Sequence, residues 1–248
     1  MTRAAAPLVD LAGLRLMVLG AGSGIGQAAA RLALDHGARV AATVLGHEAA
    51  PGDAAFATAC DVTDGAAVRQ AVAAASEALG GLDAAILTAG VFDHRGLAET
   101  TEEDWRRVLA INLDGPYHLA RAVEPGFRAR GHGSLTFFAS QIGLVGHPRA
   151  TAYAASKGGV MGLTRTLAIE FAAFGGRVNA VAPGPVETPM TAVARADAPR
   201  AQALREAVPL KRFGTADEVA RAALFLAAPA AAFITGHVLV VDGGVTAI

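Results

Sequence analysis

Short apolar runs recur along the chain, each followed by a longer stretch in which apolar residues return every three or four positions. A run of four to eight apolar residues without alternation suits a strand buried on both faces, and the longer period suits an amphipathic helix packed on it. The runs predict seven strands, at Arg15–Leu19, Arg39–Val44, Ala55–Cys60, Ala84–Thr88, Gly133–Ala139, Arg177–Ala182 and His237–Asp242. Helical periodicity covers Gly24–His36, Gly65–Leu79, Thr101–Arg130, Thr151–Phe174 and Ala216–Ala227, with Thr100 and Glu103 spaced as a capping box. Alternation of the two patterns is the signature of βαβ units and predicts an α/β fold with a parallel sheet. One segment breaks it. Met190–Phe213 is short, charged and rich in Ala and Arg, too polar for the sheet, and is read as a helical lid.

A length of 248 residues fits one α/β domain, expected over 1–248. Although 53% of residues are hydrophobic, no run reaches the roughly 18 apolar residues of a membrane span. A net charge of −1 with 5% aromatic residues offers no basic, aromatic-studded surface for nucleic acid and no basic helix for a membrane. MTRAAAPLVDLAGLR has no long apolar core of a secretory signal, so the cytoplasm is the expected location. Cys60 is the only cysteine, which excludes an internal disulfide and a thiolate metal site, and it reads as a buried strand residue; no metal is expected.

Candidate chemistry begins with Tyr153 and Lys157 in YAASK, one helical turn apart on one face. A free phenol, with pKa about 10, exchanges protons poorly at neutrality. A neighbouring ammonium favours the phenolate and suits it to moving a proton to or from a carbonyl oxygen. Such a pair is common in helices, so its weight comes from its company. Gly20, Gly22, Gly24 and Gly26 follow the strand LRLMVL and open the helical run QAAARLAL. Strand, glycine turn and helix form a cradle for a diphosphate, with backbone N–H groups at the positive helix end.

Leu19–Gly26, Asp61, Asn112, Ser140, Tyr153, Lys157, Pro183–Gly184 and the VDGG of Val241–Gly244 resemble, in order and spacing and over nearly the whole chain, the short-chain dehydrogenase/reductase family. The resemblance implies a Rossmann-type, doubly wound parallel sheet of seven strands flanked by helices, NAD or NADP as cofactor, and hydride transfer between nicotinamide C4 and a carbonyl or carbinol carbon. It implies that Ser140 polarises the substrate oxygen and Tyr153 exchanges the proton. Lys157 is to lower the phenol pKa and bond the nicotinamide ribose, and Asn112 to hold a water leading from the lysine to solvent. Donors at that oxygen stabilise the transition state more than the ground state. The implied cofactor contacts are Gly20, Gly22, Ser23, Gly24, Ile25, Gly26, Val44, Asp61, Val62, Thr88, Ala89, Gly90, Tyr153, Lys157, Pro183, Gly184, Val186 and Thr188. Two departures bear on loop rigidity: Leu19 stands where the family has Thr, and Leu87–Gly90 reads LTAG in place of Asn-Asn-Ala-Gly.

The dinucleotide stays open. Val44, where NAD-preferring members carry an acid, has no carboxylate, Leu45 and Ser23 supply no cation for a 2′-phosphate, and His47 is the only cation nearby. Ser140, Gln141, His147, Tyr153 and Met190 are the candidate substrate contacts. With Phe92, His94, Ile142, Leu144, Pro185 and Val186 they follow the C-terminal ends of their strands and suit a small or medium ketone with one polar handle. In the lid, Arg195, Arg200, Arg205, Lys211 and Arg212 beside Asp197 and Glu206 read first as a solvated face, second as a site for an anionic or thioester substrate. The complete Ser, Tyr and Lys set favours an oxidoreductase of secondary alcohols and ketones, including a 3-oxoacyl-thioester reductase subtype, over a non-catalytic dinucleotide-binding regulator. Thr101–Arg130 and Thr151–Phe174 carry more apolar positions than one sheet face takes up, and the VTAI tail is apolar; with the family's habit of pairing these helices, a homotetramer is expected, with a dimer as the fallback.

Overall fold

A computed structural model describes residues 9–46 and 48–247. His47, Ile248 and the first eight residues, with the readings that fall on them, lie outside the described residues. Strands β1 (Arg15–Leu19), β2 (Arg39–Val44), β3 (Phe56–Ala59), β4 (Ala84–Leu87), β5 (Gly133–Phe138), β6 (Gly176–Pro183) and β9 (Val238–Val241) form one parallel sheet in the order β3-β2-β1-β4-β5-β6-β9. The expected strands are all present, most of them trimmed or extended by a residue at an end. Leu16 to Leu19 of β1 are fully buried, because β1 has neighbours on both edges and helices on both faces.

One core packs α2 (Gly65–Leu79), α4 (Gly115–Arg130) and α5 (Thr151–Ala172) on one face; a second packs α1 (Gly24–Asp35) and α8 (Ala216–Ala227) on the other. Strand order reverses between β1 and β4. Ligands of open α/β sheets bind in the crevice at the strand C-termini beside such a reversal.

The expected helix Thr101–Arg130 is three pieces: α3 (Glu102–Leu109), a π turn (Ala110–Asp114) and α4. Its capping box lies one residue later than expected. Thr100 Oγ1 donates to Gly96 O (2.9 Å) and is held by the preceding turn. Thr101 therefore starts the helix, its hydroxyl accepting from Asp104 N (3.1 Å) while the Asp104 carboxylate accepts from Thr101 N (3.3 Å). Pro116 has no N–H to aim at the Asn112 carbonyl, as a regular α-helix would require, and the wider turn carries Asn112 into the interior.

The lid segment folds as a short turn (Pro189–Thr191), α6 (Ala192–Ala196) and α7 (Ala198–Ala207). Its two ends are β7 (Val186–Glu187) and β8 (Gly214–Thr215), which pair in parallel with Val186 opposite Gly214. The excursion thus leaves and rejoins the molecule at one braced point.

Candidate active site

The glycine turn follows β1 with Gly20 at φ +88° and Gly24 at φ +53°, values that disfavour any side chain. Gly26 packs so tightly under Gly20 that a Cβ there would strike the Gly20 carbonyl and Thr88. Thr88 Oγ1 donates to Leu19 O (3.0 Å) and Gly20 O (2.9 Å), so the tie between strand ends left uncertain by LTAG is made by this hydroxyl. Ser23 caps α1 with extended backbone, and its hydroxyl does not bond the first N–H groups of the helix. Those donors are free for an anion, and the turn fits a dinucleotide diphosphate.

At the end of β2 Val44 is buried at 8% exposure, as alternate residues of an interior strand face the two packed helix layers. The nearest carboxylate is that of Glu48, which accepts from Leu45 N (3.2 Å) and from Ser23 Oγ (3.3 Å) and lies where a side chain on Gly22 would stand. Val62 is likewise a core residue, packed against Gly115, and brings no side chain to the surface. Asp61 is exposed and accepts from Thr63 N (2.9 Å) and Oγ1 (2.8 Å). Burial, then Asp61 and Asp64, push the neighbouring Cys60 thiol up, away from reactivity.

Asn112, Ser140, Tyr153 and Lys157 come together in the interior where β4 and β5 meet α5; all four are buried, Tyr153 at 8% and Lys157 at 5% exposure. Asn112 Nδ2 donates to Val91 O (2.9 Å) and Ser156 Oγ (3.2 Å), its Oδ1 accepts from Val91 N (2.9 Å), and Ser156 Oγ donates to Tyr153 O (2.7 Å). The Asn112 amide is thus fully used in fixing the loop after β4 to the helix that carries the phenol. Lys157 Nζ donates to Phe138 O (2.8 Å) and sits 5.6 Å above the centre of the Tyr153 ring. Burial lowers the Lys157 pKa to about 8. Burial raises that of Tyr153, and only the adjacent Ser140 hydroxyl pulls it down. Lys157 lies over the Tyr153 ring face and bonds a carbonyl, so in this arrangement burial sets the direction of the phenol pKa.

A cavity of about 340 Å³ opens on these groups. Ser140, Tyr153, Lys157, Thr88 and Gly90 line its inner end with Ile25 and Pro183, Gly184, Val186 and Thr188; Gln141, His147 and Met190 line its outer part. All five candidate substrate contacts therefore face one space, while Leu144 does not line it. Phe92 meets the Tyr153 ring edge-on (4.8 Å), and His94 stands next (6.0 Å), followed by His147 (6.4 Å). Gln141 Oε1 is buried without a partner. The lid segment adds Thr191, Val193, Ala194, Arg200, Leu204 and Phe213 to the wall, and Phe138 and Ala139 at the end of β5 line it as well; of these the sequence reading singles out only Arg200, among the basic lid residues.

The family model described as enoyl-(acyl carrier protein) reductase matches residues 20–246. The chain belongs to the short-chain dehydrogenase/reductase family. It is 40% identical over 239 residues to a D-threitol dehydrogenase of Mycolicibacterium smegmatis, covering 93% of this chain and 92% of the relative. It is 42% identical over 204 residues to the "inactive 2-(S)-hydroxypropyl-CoM dehydrogenase 2" of Xanthobacter autotrophicus, 79% of this chain and 87% of that one. A crystal structure of a putative short-chain alcohol dehydrogenase from Sinorhizobium meliloti 1021 superposes with a TM-score of 0.92 at 38% identity, covering 97% and 99% of the two chains. As a short-chain dehydrogenase/reductase, the protein is an oxidoreductase of the CH–OH/C=O couple that uses a nicotinamide dinucleotide. Among the described residues no helix is long and apolar enough to cross a membrane.

Proposed function

We propose that the enzyme interconverts a small secondary alcohol and its ketone with Tyr153 as general acid-base, and that it prefers NAD. The observation that carries the reaction is the convergence of buried Ser140, Tyr153 and Lys157 at the inner end of one cavity. The glycine turn, Thr88–Gly90, Lys157 and Pro183–Thr188 would hold the dinucleotide, which would supply or accept hydride at C4. Ser140 and Tyr153 donate hydrogen bonds to the substrate oxygen as negative charge builds there, and Tyr153 passes it the proton. Lys157, charged below pH about 8, favours the phenolate left behind. Asn112 acts by positioning, through Val91 and Ser156. A panel of acyl-thioester, sugar-derived and cyclic ketones with NADH and NADPH tests this reading. Turnover confined to acyl thioesters would select the 3-oxoacyl-thioester subtype, and none at all would select the non-catalytic regulator, a reading that the inactive relative makes concrete.

The cofactor preference rests on Glu48. Its carboxylate lies at the glycine turn just past β2, next to the Leu45 amide, where it would meet the adenosine ribose of a dinucleotide held on this turn. A carboxylate there accepts from a ribose diol and repels a 2′-phosphate. NAD is expected to exceed NADP at least about tenfold in kcat/KM, and Glu48→Arg to reverse the order by replacing repulsion with a guanidinium fork. Dissociation constants of NADH and NADPH, read by fluorescence, should move in parallel. Unchanged ratios in both measurements would remove Glu48 from the site.

A homotetramer is part of the proposal. Ile169 of α5 is 77% exposed, Tyr117 of α4 is also exposed, and Gly158 and Gly162 leave open space along α5; β9 is a sheet edge with Val240 exposed. Of the surplus apolar positions, Val108, Val160 and Phe171 are buried within the chain and Trp105, Leu109, Leu113, Leu163 and Leu167 half-buried. The start of the tail is held by Asp242, which accepts from Gly244 N and Thr246 N (both 2.8 Å). Two self-complementary faces generate D2 symmetry. Light scattering is expected to return the mass of four chains; a monomer would overturn the assembly.

A further inference from the structure

We propose that Arg200 forms an anion subsite in the lid wall of the cavity, so that the substrate is an alcohol or ketone carrying a carboxylate at the end remote from the reacting carbon. The inference rests on the oxidoreductase reading above and names its substrate class.

The five basic residues of the lid segment differ in what they do. Arg195 donates to Thr191 Oγ1 (3.3 Å) and Thr188 O (3.2 Å), clamping the turn after β7. Arg205 lies over the Phe213 ring (5.8 Å), Lys211 Nζ donates to Glu206 O (2.7 Å), and Arg212 makes two bonds to Glu218 (2.6 and 2.9 Å). Each of these has an intramolecular partner, and none of the four lines the cavity. Arg200 does line it, is half-buried, and among the described residues its guanidinium makes no hydrogen bond or ion pair. Asp197, the nearest acid in sequence, is engaged as the cap of α7, accepting from the Arg200 backbone N–H (3.2 Å).

Charge around the cavity is one-sided. Among the described residues that line it there is no Asp or Glu, while Lys157 stands at the inner end and Arg200 in the lid. Arg149, held at the strained φ of +57° close by, is neutralised by Glu99 (2.7 to 2.8 Å) and reaches toward the His94 ring. Burial, then Arg200 and Arg149, push the His94 pKa down, so its imidazole stays neutral and adds hydrogen bonding rather than charge. The wall that Arg200 shares includes the apolar side chains of Phe92, Ile142, Val193, Leu204 and Phe213. An unpaired guanidinium on such a wall gains most from a ligand carboxylate, whose two oxygens match its fork. With the reacting oxygen fixed at Ser140 and Tyr153, the carboxylate falls at the lid end, and about 340 Å³ shared with the nicotinamide leaves room for a compact carbon frame.

The test compares ketones differing only in charge: 4-oxocyclohexanecarboxylate with its carboxamide, and 4-oxopentanoate with its amide, reduced with NADH and NADPH. The carboxylate is expected to lead by about tenfold to a hundredfold in kcat/KM, expressed in KM, the range of a hydrogen bond to a charged group. In Arg200→Leu that ratio should fall to near one, Arg200→Lys should keep part of it, and Arg205→Leu, which changes lid charge away from the cavity, should leave it unaltered. Calorimetry with the unreactive cyclohexanecarboxylate and cyclohexanecarboxamide on the NADH-bound protein reads the same preference without turnover. Equal affinity for carboxylate and amide in the wild type, or a preference that survives Arg200→Leu, overturns the subsite. Absence of turnover with every ketone, together with carboxylate binding that Arg200→Leu abolishes, would instead overturn the oxidoreductase reading and leave the subsite standing.

Discussion

Tyr153→Phe is expected to lower kcat about 10³-fold, within the 10²- to 10⁴-fold range of general acid-base catalysis, while dinucleotide affinity changes by less than about threefold. The substitution removes one oxygen and keeps the ring. Phe92 still meets that ring edge-on at 4.8 Å, and the Ser156 bond to the residue-153 carbonyl is a backbone contact that the change does not touch. Nothing else in the cavity replaces the proton. Ser140 donates but has no base beside it, its hydroxyl already accepting from Ile142 N (3.2 Å), and His94 and His147 line the outer part. Steady-state rates in both directions, with dinucleotide titration of the same preparation, check the result. A kcat within tenfold of wild type would remove Tyr153 from the acid-base role, and a loss of dinucleotide binding equal to the loss of rate would make its role structural.

The parts of the site legible in the sequence are those where spacing along one element fixes position in space. Gly20 to Gly26 bridge one strand and one helix, and Tyr153 and Lys157 share one face of α5, so local periodicity is enough. Ser140 was readable because it ends a strand. The rest depends on which distant segment lies opposite. Two successive threonines each have an acid three residues on, and only the bond from Thr100 to Gly96 decides which one caps α3. The π turn at Asn112 follows from Pro116 together with the pull of Val91 and Ser156, neither of which is adjacent in the chain. Val44 ends β2 as the apolar run predicts but is buried, and the carboxylate near that end is that of Glu48, from the following loop. Arg200 looked like its four basic neighbours because what separates them is their partners, the turn after β7, Phe213 and Glu218, brought in by tertiary structure.

Lys157→Met is expected to move stability and activity in opposite directions. Burial costs the ammonium on the order of 3 kcal/mol, the free-energy equivalent of lowering its pKa from 10.5 to about 8. Below pH 8 the lysine is protonated in both the folded and the unfolded chain, and the folded protein bears the whole cost. Between pH 8 and 10.5 the unfolded chain holds the proton that the folded one has released, so stability from this group rises with pH across that window. Methionine fills similar volume without charge and forfeits the bond to Phe138 O, worth about 1.5 to 3 kcal/mol for a charged donor. At pH 7 the ligand-free variant should therefore be at least as stable as wild type, by up to about 1.5 kcal/mol, a Tm higher by up to a few degrees. Its advantage should shrink as pH rises from 8 to 10.5, a comparison in which titrating groups remote from Lys157 cancel. Turnover should fall about 10²- to 10³-fold and dinucleotide binding should weaken, because the phenolate loses its neighbouring cation and the ribose its donor. Thermal unfolding of both proteins across pH 7 to 10.5, set beside their dinucleotide affinities, checks each half separately. A variant less stable than wild type at pH 7, or a difference that does not change with pH, would mean that Lys157 is not held against its charge; unchanged dinucleotide affinity would remove its contact with the ribose.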